Sequence, residues 1–396
     1  MKLGALASGL TTAPGRRSRA ADWYHNRGRL VGVCRNLAGK RSLELLAHGL
    51  QGLDGRALEL VVPTGAVPAL RARSAWLDAE IRIHPFQGKG TGFDRIVGPV
   101  QTAMSPSEAC QFYDKLGGLS PTVDLDPSFW PSWLLDVASS LEDRGVQRSQ
   151  TTRSVVWRYR GRQVLAVRPA RSGTLALIAG ADFTSSGSDR SAPFRRTITA
   201  GTDMAETERD ELRTAIDTAI ERRRNGEDHG HRERLLQATI SSSPHLIGLA
   251  QVRREVPAWR PKYRASRGRA SIDLLGCDPE QGGHVIEVKI RPDAQLGMQA
   301  LDYWAWVNAR RAELAEDIGA DPGRTFQLDL VLGGEAAEEP AHPAAAATLE
   351  ALAPDVNWRC HIVTNWDTIE EPTRPLTPAA TAVPPRQLPE SRDRPG

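Results

Sequence analysis

The sequence predicts a mixed α/β chain built from more than one sheet. Three observations carry this. Helix-like and strand-like stretches alternate between residues 21 and 150, and short runs broken by glycine turns fill 151–182. From 231 onward, after a charged helix at 205–224, the order reads helix, three strands, helix, strand, helix, strand. At 396 residues the chain is long enough for roughly two or three cores.

Its 40% hydrophobic and 25% charged residues match ordinary soluble globular proteins. No run reaches the roughly 18 apolar residues of a membrane helix. The start, MKLGALASGLTTAPGRR, loosely mimics a secretion signal, but Gly4, Gly9 and a threonine pair break its apolar part. Residues 1–20 are therefore expected to be a flexible basic tail. Cys34, Cys110, Cys277 and Cys360 lie far apart, without a CxxC or Cys/His cluster. That spacing argues against a structural zinc site or a disulfide framework and fits a reducing cytoplasm, although four thiols leave room for a bridge or two.

Residues 21–150 form the expected N-terminal α/β domain, whose role the sequence does not state. ALELVVP (57–63) reads as a strand and AEIRIHPF (79–86) alternates like another, with VPALRARSAWLDA between them as a helix. In SPSEACQFYDKL, Ser105, Pro106 and Glu108 make a helix start with a capping box. Residues 151–204 read as a small β meander and a Ser/Gly-rich linker, the meander turning at Arg160-Gly161 and Ser172-Gly173. Trp157, Tyr159 and the arginines between could face nucleic acid, or be one packed and one wet face. Residues 205–370 hold the remaining elements, beginning with the charged helix AETERDELRTAIDTAIERRR. Residues 371–396 are a proline-rich tail expected to be disordered.

The net charge of +3 says little, but its distribution says more. VRREVPAWRPKYRASRGRA (252–270) carries seven cations against Glu255 alone, including Arg260, Lys262, Arg264, Arg267 and Arg269. Clustered cations of this kind bind polyanions, most commonly a nucleic-acid backbone. The plainer reading is a solvated loop.

This run leads into SIDLLGCDPEQGGHVIEVK (271–289), where Asp273, Glu287 and Lys289 interrupt apolar strands. Unpaired buried charge is expensive, so such groups pair, hydrogen-bond or hold a metal. Side chains two apart share a strand face, so Glu287 and Lys289 project together. Asp273 separates from Ile272 and Leu274, and a hairpin through DPEQGG brings it alongside them. Converging carboxylates can share a divalent cation, and Mg²⁺ typically takes only one or two. The alternative is an internal salt bridge of Lys289 at a sheet edge. Two helices add to the site. Glu233 shares the apolar stripe of HRERLLQATI with Leu236, Gln237 and Ile240, and Gln299 and Tyr303 lie one turn apart in MQALDYWAWV. Asp302 on the second helix reads as an incidental surface group. Trp304 and Trp306 could stack bases, burial being the better default for Trp304. His229, His231, His245, His284 and His361 lack metal-ligand spacing.

Together these residues resemble the PD-(D/E)XK nuclease superfamily. Asp273 and Glu287-Val288-Lys289 match its D…E-x-K element, and Glu233 matches the glutamate of its first core helix. Gln299 through Tyr303 match the Q-x-x-x-Y motif of its RecB-like branch, and Glu233 with LLQATISSSPHLIG also looks NucS-like. The family's proline before the aspartate is absent, Ile272 standing there. The resemblance covers about residues 225–370. It implies a C-terminal restriction-endonuclease-like core, a mixed central sheet flanked by helices. It also implies a deoxyribonuclease that hydrolyses phosphodiesters through Mg²⁺-activated water, with Mn²⁺ able to substitute. Asp273, Glu287 and Glu233 would be metal ligands, Lys289 would assist the water, and Gln299 and Tyr303 would support them. DNA, double-stranded or structured, would be the partner in repair or defence, and a homodimer is allowed. A non-catalytic nucleic-acid-binding protein on the same scaffold is the alternative.

Overall fold

The computed structural model describes residues 11–17, 21–26, 29–34, 42–53, 57–87, 95–118, 130–151, 154–170, 174–180, 192–199, 202–225, 232–261, 267–334, 342–366 and 379–383. Among these, the chain is mixed α/β, with nine α-helices and three open sheets of six, five and six strands. None of the described helices is long and apolar enough to cross a membrane. All four cysteines are free thiols.

The first sheet is ordered β1 (Thr11–Arg17), β2 (Ala21–Asn26), β3 (Arg29–Cys34), β4 (Ala57–Pro63), β5 (Ile81–Gln87) and β6 (Arg95–Ile96). Helix α1 (Ser42–Leu50) joins β3 to β4, and α2 (Val67–Ser74) joins β4 to β5. Both connections link parallel neighbours, as a crossover helix requires. Helix α3 (Pro106–Asp114) starts on the expected capping box. Ser105 Oγ accepts from the Glu108 amide at 3.3 Å, and Glu108 Oε2 accepts from the Ser105 amide at 2.8 Å.

The second sheet is an antiparallel ribbon ordered β11 (Phe194–Thr199), β10 (Thr174–Ala179), β9 (Arg162–Pro169), β8 (Ser154–Tyr159) and β7 (Gln147–Thr151). The expected turn at Arg160-Gly161 has both residues at positive φ, 49° and 78°, the mirror-image turn that matches strand twist. Helices α4 (Ser132–Asp143) and α5 (Glu206–Arg224) cover this sheet. Trp133, Leu134, Leu141, Leu212, Ile216 and Ile220 share one core with Trp157, Leu165 and Leu177. The expected division at 150 and 204 therefore does not follow the packing. β7 and α4 join the second sheet, as does α5, which the sequence assigned to the C-terminal unit. Periodicity marks which face of α5 is apolar but not which sheet that face meets.

The third sheet is ordered β12 (Gln251–Pro261), β13 (Arg267–Cys277), β14 (Gly283–Lys289), β15 (Gln327–Leu332), β16 (Trp358–Thr364) and β17 (Ala379–Val383). The β14–β15 and β15–β16 pairs are parallel and the other three antiparallel. Helix α6 (Arg232–Ser242) covers one face, where Leu236 and Ile240 pack with Leu274, Ile286, Val288, Val331 and Val363. The long helix expected from about 293 to 315 is two helices, α7 (Leu296–Ala309) and α8 (Arg311–Ile318), meeting at Arg310. Asp293 accepts a hydrogen bond from the Gln295 amide at 2.8 Å just ahead of α7.

Helix α7 lies on the opposite face of the third sheet, touching β12, β14 and β15. It also packs against α1, α2, α3 and α9 (Pro343–Glu350). One continuous core results. It runs from Leu30, Leu58 and Ile83 of the first sheet through Leu46 and Leu70 to Leu301, Trp304 and Leu328. Both expected tails contribute a strand. β1 pairs with β2, and β17 pairs with β16 from Cys360↔Val383 to Thr364↔Ala379. An exposed edge offers a row of unsatisfied backbone groups, and a short polar segment that satisfies them need not look like a strand. β11 likewise arises inside the expected linker.

Candidate active site

The charges at 273, 287 and 289 are positioned by the β13–β14 hairpin. Its turn is held by Asp278 Oδ1, which accepts from the Gly282 amide at 2.6 Å, with Gln281 at φ 62°. A Cβ at Gly282 would meet the Asp278 carboxylate at 2.5 Å, so a larger residue there would push aside the acceptor that holds the turn. The register runs from Cys277↔Gly283 to Leu274↔Ile286, which sets Asp273 opposite Glu287 at the next step. Residues directly opposite share a face, so the two carboxylates lie on the same side of the sheet.

The alternation of β13 breaks at this point. Leu274 joins the core under α6, whereas Ile272 joins the core under α7. The two were expected on one face. Across the ladder Glu255 has φ 50°, an uncommon conformation for a side chain of this size. The pairing keeps its register on both sides of it, from Arg254↔Leu274 to Val256↔Ile272. The local twist therefore falls beside Asp273.

Glu287 is the centre of the cluster and only 1% exposed. Its Oε1 accepts from Lys289 Nζ at 2.8 Å and from Gln299 Nε2 at 2.7 Å. Its Oε2 is buried with no hydrogen-bond partner. Asp273 Oδ2 accepts from the Val288 amide at 2.9 Å, which fixes that carboxylate against β14. Lys289 Nζ also donates to the Val288 carbonyl at 3.1 Å and lies 3.8 Å from Glu233 Oε1. Gln299 comes from the α7 side and Glu233 from α6.

Electrostatics follow from this crowding. Burial, reinforced by the Asp273 charge and opposed by Lys289, pushes the Glu287 carboxyl up to about 8. Burial also raises Asp273 and Glu233, with Lys289 opposing both. Burial disfavours the Lys289 ammonium, yet Glu287, Glu233 and Asp273 together hold its pKa above the ordinary lysine value. The Tyr303 phenol is raised by burial and then by Glu287, while Arg260 pulls the other way. The Arg260 guanidinium lies 5.1 Å from the centre of the Tyr303 ring.

The hairpin and the two helices thus bring Asp273, Glu287, Lys289, Glu233, Gln299 and Tyr303 into one neighbourhood. They do not form a tight set of three ligands. Among the described residues, no three His, Cys, Asp or Glu side chains are gathered so as to hold a metal ion. Glu233 is the outlying member, its side chain 38% exposed. Of the basic run, Arg260 reaches the site. Lys262 and Arg264 lie outside the described residues. Arg267 and Arg269 sit in β13 opposite Pro261 and Trp259. The described parts of the run lie in the edge strand β12 and its neighbour β13 rather than in a loop.

Asp302 is not a surface group. It is fully buried and accepts from Arg73 Nε at 2.8 Å, Arg73 Nη2 at 2.9 Å and the Tyr113 hydroxyl at 2.7 Å. This contact welds α2 and α3 to α7 one residue before Tyr303. A signal was available, since MQALDYWAWV has no continuous polar face and a helix apolar all round is buried. Trp304 and Trp306 are core residues, donating to the carbonyls of Phe326 at 2.6 Å and Gly117 at 3.1 Å. His284 and His361 are also buried. His284 Nδ1 lies 2.6 Å from Asp329 Oδ2, and Arg359 Nε donates to Asp329 Oδ1 at 2.6 Å.

No protein-family model matches the chain, and no curated protein does. Among solved structures, it is similar to the crystal structure of a repair endonuclease from Pyrococcus abyssi. The two share 16% identity over 52% of this chain and 73% of that one, with a TM-score of 0.19. A likeness at that level gives neither a family nor an activity.

Proposed function

We propose that the chain is a metal-dependent nuclease that hydrolyses DNA phosphodiester bonds at the Asp273–Glu287–Lys289 cluster. The observation that carries this reading is Glu287 Oε2, a buried carboxylate oxygen without a partner beside a second carboxylate. Buried polar atoms are rarely left unsatisfied, and each exception calls for a cause. The salt-bridge alternative accounts for Oε1 only. Three carboxyl groups crowd one ammonium, and burial and mutual repulsion disfavour their charged forms; a divalent cation would hold them ionised.

Asp273 and Glu287 would hold that cation, and Glu233, 3.8 Å from Lys289 Nζ, would act through water. When bound, it supplies positive charge for the phosphate and acidifies water. Lys289, kept protonated by its neighbours, serves as a hydrogen-bond donor and a charge for the developing phosphorane rather than as a base. Gln299 holds Glu287 Oε1 and so leaves Oε2 directed to the ligand. Tyr303, beneath Arg260, borders the same face.

The test uses the full chain with labelled single-stranded and duplex DNA in Mg²⁺, Mn²⁺ or EDTA. Cleavage is expected with either metal and not in EDTA. Asp273→Asn and Glu287→Gln should each lower it by about 10²-fold or more, the scale of a lost electrostatic contact in a transition state. Mn²⁺ should raise the melting temperature of the parent protein and leave the Asp273→Asn/Glu287→Gln double variant unmoved. Full cleavage by either single variant, or equal cleavage in EDTA, refutes the assignment.

A further inference from the structure

Two sheet edges face each other across the molecule. β7 is the outer strand of the second sheet and β12 the outer strand of the third, and the two touch. Between them lies a cleft of about 710 Å³. Its walls include Arg148, Ser149, Gln150 and Arg158 from the second sheet and Arg253 and Arg254 from β12. Asp317 is the one carboxylate among its lining residues and Val252 the one aliphatic side chain. An apolar ligand finds little there to pack on. An anion finds four guanidinium groups.

Those cations are only partly neutralised. Arg253 is paired with Asp317, and Arg158 donates to Ser149 and to Glu255. Arg254 Nη2 donates only weakly, to the Arg234 carbonyl at 3.3 Å, and its Nε is buried without a partner. Burial, with Arg158 and Arg234 beside it, lowers Arg254 to about 10 despite the attraction of Glu255. The guanidinium groups of Arg158, Arg234 and Arg254 thus crowd together near Glu255, with Asp273 the second carboxylate that acts on Arg254. Crowding cations in a half-buried wall costs folding free energy unless a ligand is to balance them. Glu255, beside them, is the residue with φ 50° opposite Asp273. The cleft therefore opens next to the cluster described above.

We propose that this cleft holds the phosphodiester backbone of a single nucleic-acid strand and leads it to or from Asp273. The inference rests on the nuclease reading for its direction, though not for the binding itself. Single-strand grooves combine cations that track the backbone with little base-specific hydrogen bonding. A volume within the range of about 300–1,000 Å³ typical of small-ligand pockets admits a few nucleotides of one strand and no duplex. Trp157, which the sequence offered as able to face nucleic acid or to pack, is buried in the second core, whereas its neighbour Arg158 lines the cleft.

The experiment measures binding of fluorescent oligonucleotides by anisotropy in EDTA, where no cleavage intervenes. It compares the parent chain with Arg148→Glu and with Arg148→Ala/Arg253→Ala over a series of salt concentrations. Single-strand affinity should fall about tenfold or more in each variant. The slope of log K against log salt should flatten by about 1.4 in the double variant, since each single-strand phosphate contact contributes about 0.7. Arg148 is exposed, so its substitution leaves the fold intact, and unchanged melting curves verify this. DNA and RNA strands of one sequence identify the sugar, and loss with either upholds the cleft. Unchanged affinity and slope in both variants, or a duplex bound more tightly than its single strands, overturns it. If binding ignores the arginines while Glu287→Gln still abolishes cleavage, the cleft fails and the nuclease reading stands. If the arginines govern binding and no substrate is cut with any metal, the cleft stands without it.

Discussion

Asp302→Leu tests whether the first sheet and the third form one unit. The carboxylate is fully buried, Arg73 is 1% exposed, and two guanidinium hydrogen bonds and one phenol hydrogen bond converge on it. Removing one partner of a buried ion pair costs about 3–5 kcal/mol, because the other charge stays buried alone. A stranded Tyr113 hydroxyl adds about 1–3 kcal/mol. The two losses share a site and do not add fully, so about 4 kcal/mol is expected. Against a typical domain stability of about 5–15 kcal/mol that is a large fraction. Urea unfolding followed by tryptophan fluorescence reads it directly. Trp76 and Trp304 stack edge-to-face in this core with ring centres 5.1 Å apart. Arg73→Met/Tyr113→Phe/Asp302→Leu should recover most of the loss, since apolar residues of similar volume replace buried ion networks at little cost. A loss below about 1 kcal/mol for Asp302→Leu would mean that the carboxylate is not sequestered, and the weld would be wrong.

Three further outcomes follow from other contacts. Lys289→Met leaves Glu287 buried without its ammonium and should lower stability in EDTA by about 3–5 kcal/mol. Equal melting curves would place Lys289 outside the cluster. Gly161→Ala puts a methyl group against the Arg234 carbonyl of α6 at a position with φ 78°. It should cost about 1–3 kcal/mol and loosen the second sheet from α6, read as faster proteolysis between them. Asp329 is opposed by burial but held well below the usual aspartate range by His284, His361 and Arg359. A depressed carboxylate contributes stability above its unfolded pKa of about 3.9 and loses it as pH falls through the folded value. Melting between pH 5 and pH 2 should therefore fall more steeply for the parent than for Asp329→Asn, and parallel curves would contradict this.

The hairpin at 271–289 was legible because both of its determinants are local. Alternation with period two places Glu287 with Lys289, and Pro279, Gly282 and Gly283 announce the turn. The capping box at Ser105 was legible for the same reason. What the sequence hid depends on partners distant along the chain. Residues 270–274 alternate regularly on paper, yet Ile272 and Leu274 belong to different cores, with Glu255 on the neighbouring strand in an unusual conformation. The apolar stripe of α5 was correct and its destination was not. Asp302 looked like a solvated charge because its two partners precede it by 229 and 189 residues.

The N-terminal region is for this reason part of the site's foundation. Glu287 Oε1 is held by Gln299 from one end of α7, and the next turn of that helix carries Asp302 and Tyr303. Almost every residue of α7 from Leu296 to Val307 is buried, and the side away from the third sheet is covered by α1, α2 and α3. Residues 205–370 by themselves would expose that side, together with a carboxylate stripped of Arg73 and Tyr113. They would also carry α5 without the sheet it covers. A carboxylate whose free oxygen must be held in place needs a rigid neighbour. In this chain the rigidity of α7 is supplied by elements roughly 200 residues earlier, so the boundary that composition suggests near 204 separates the cluster from its support.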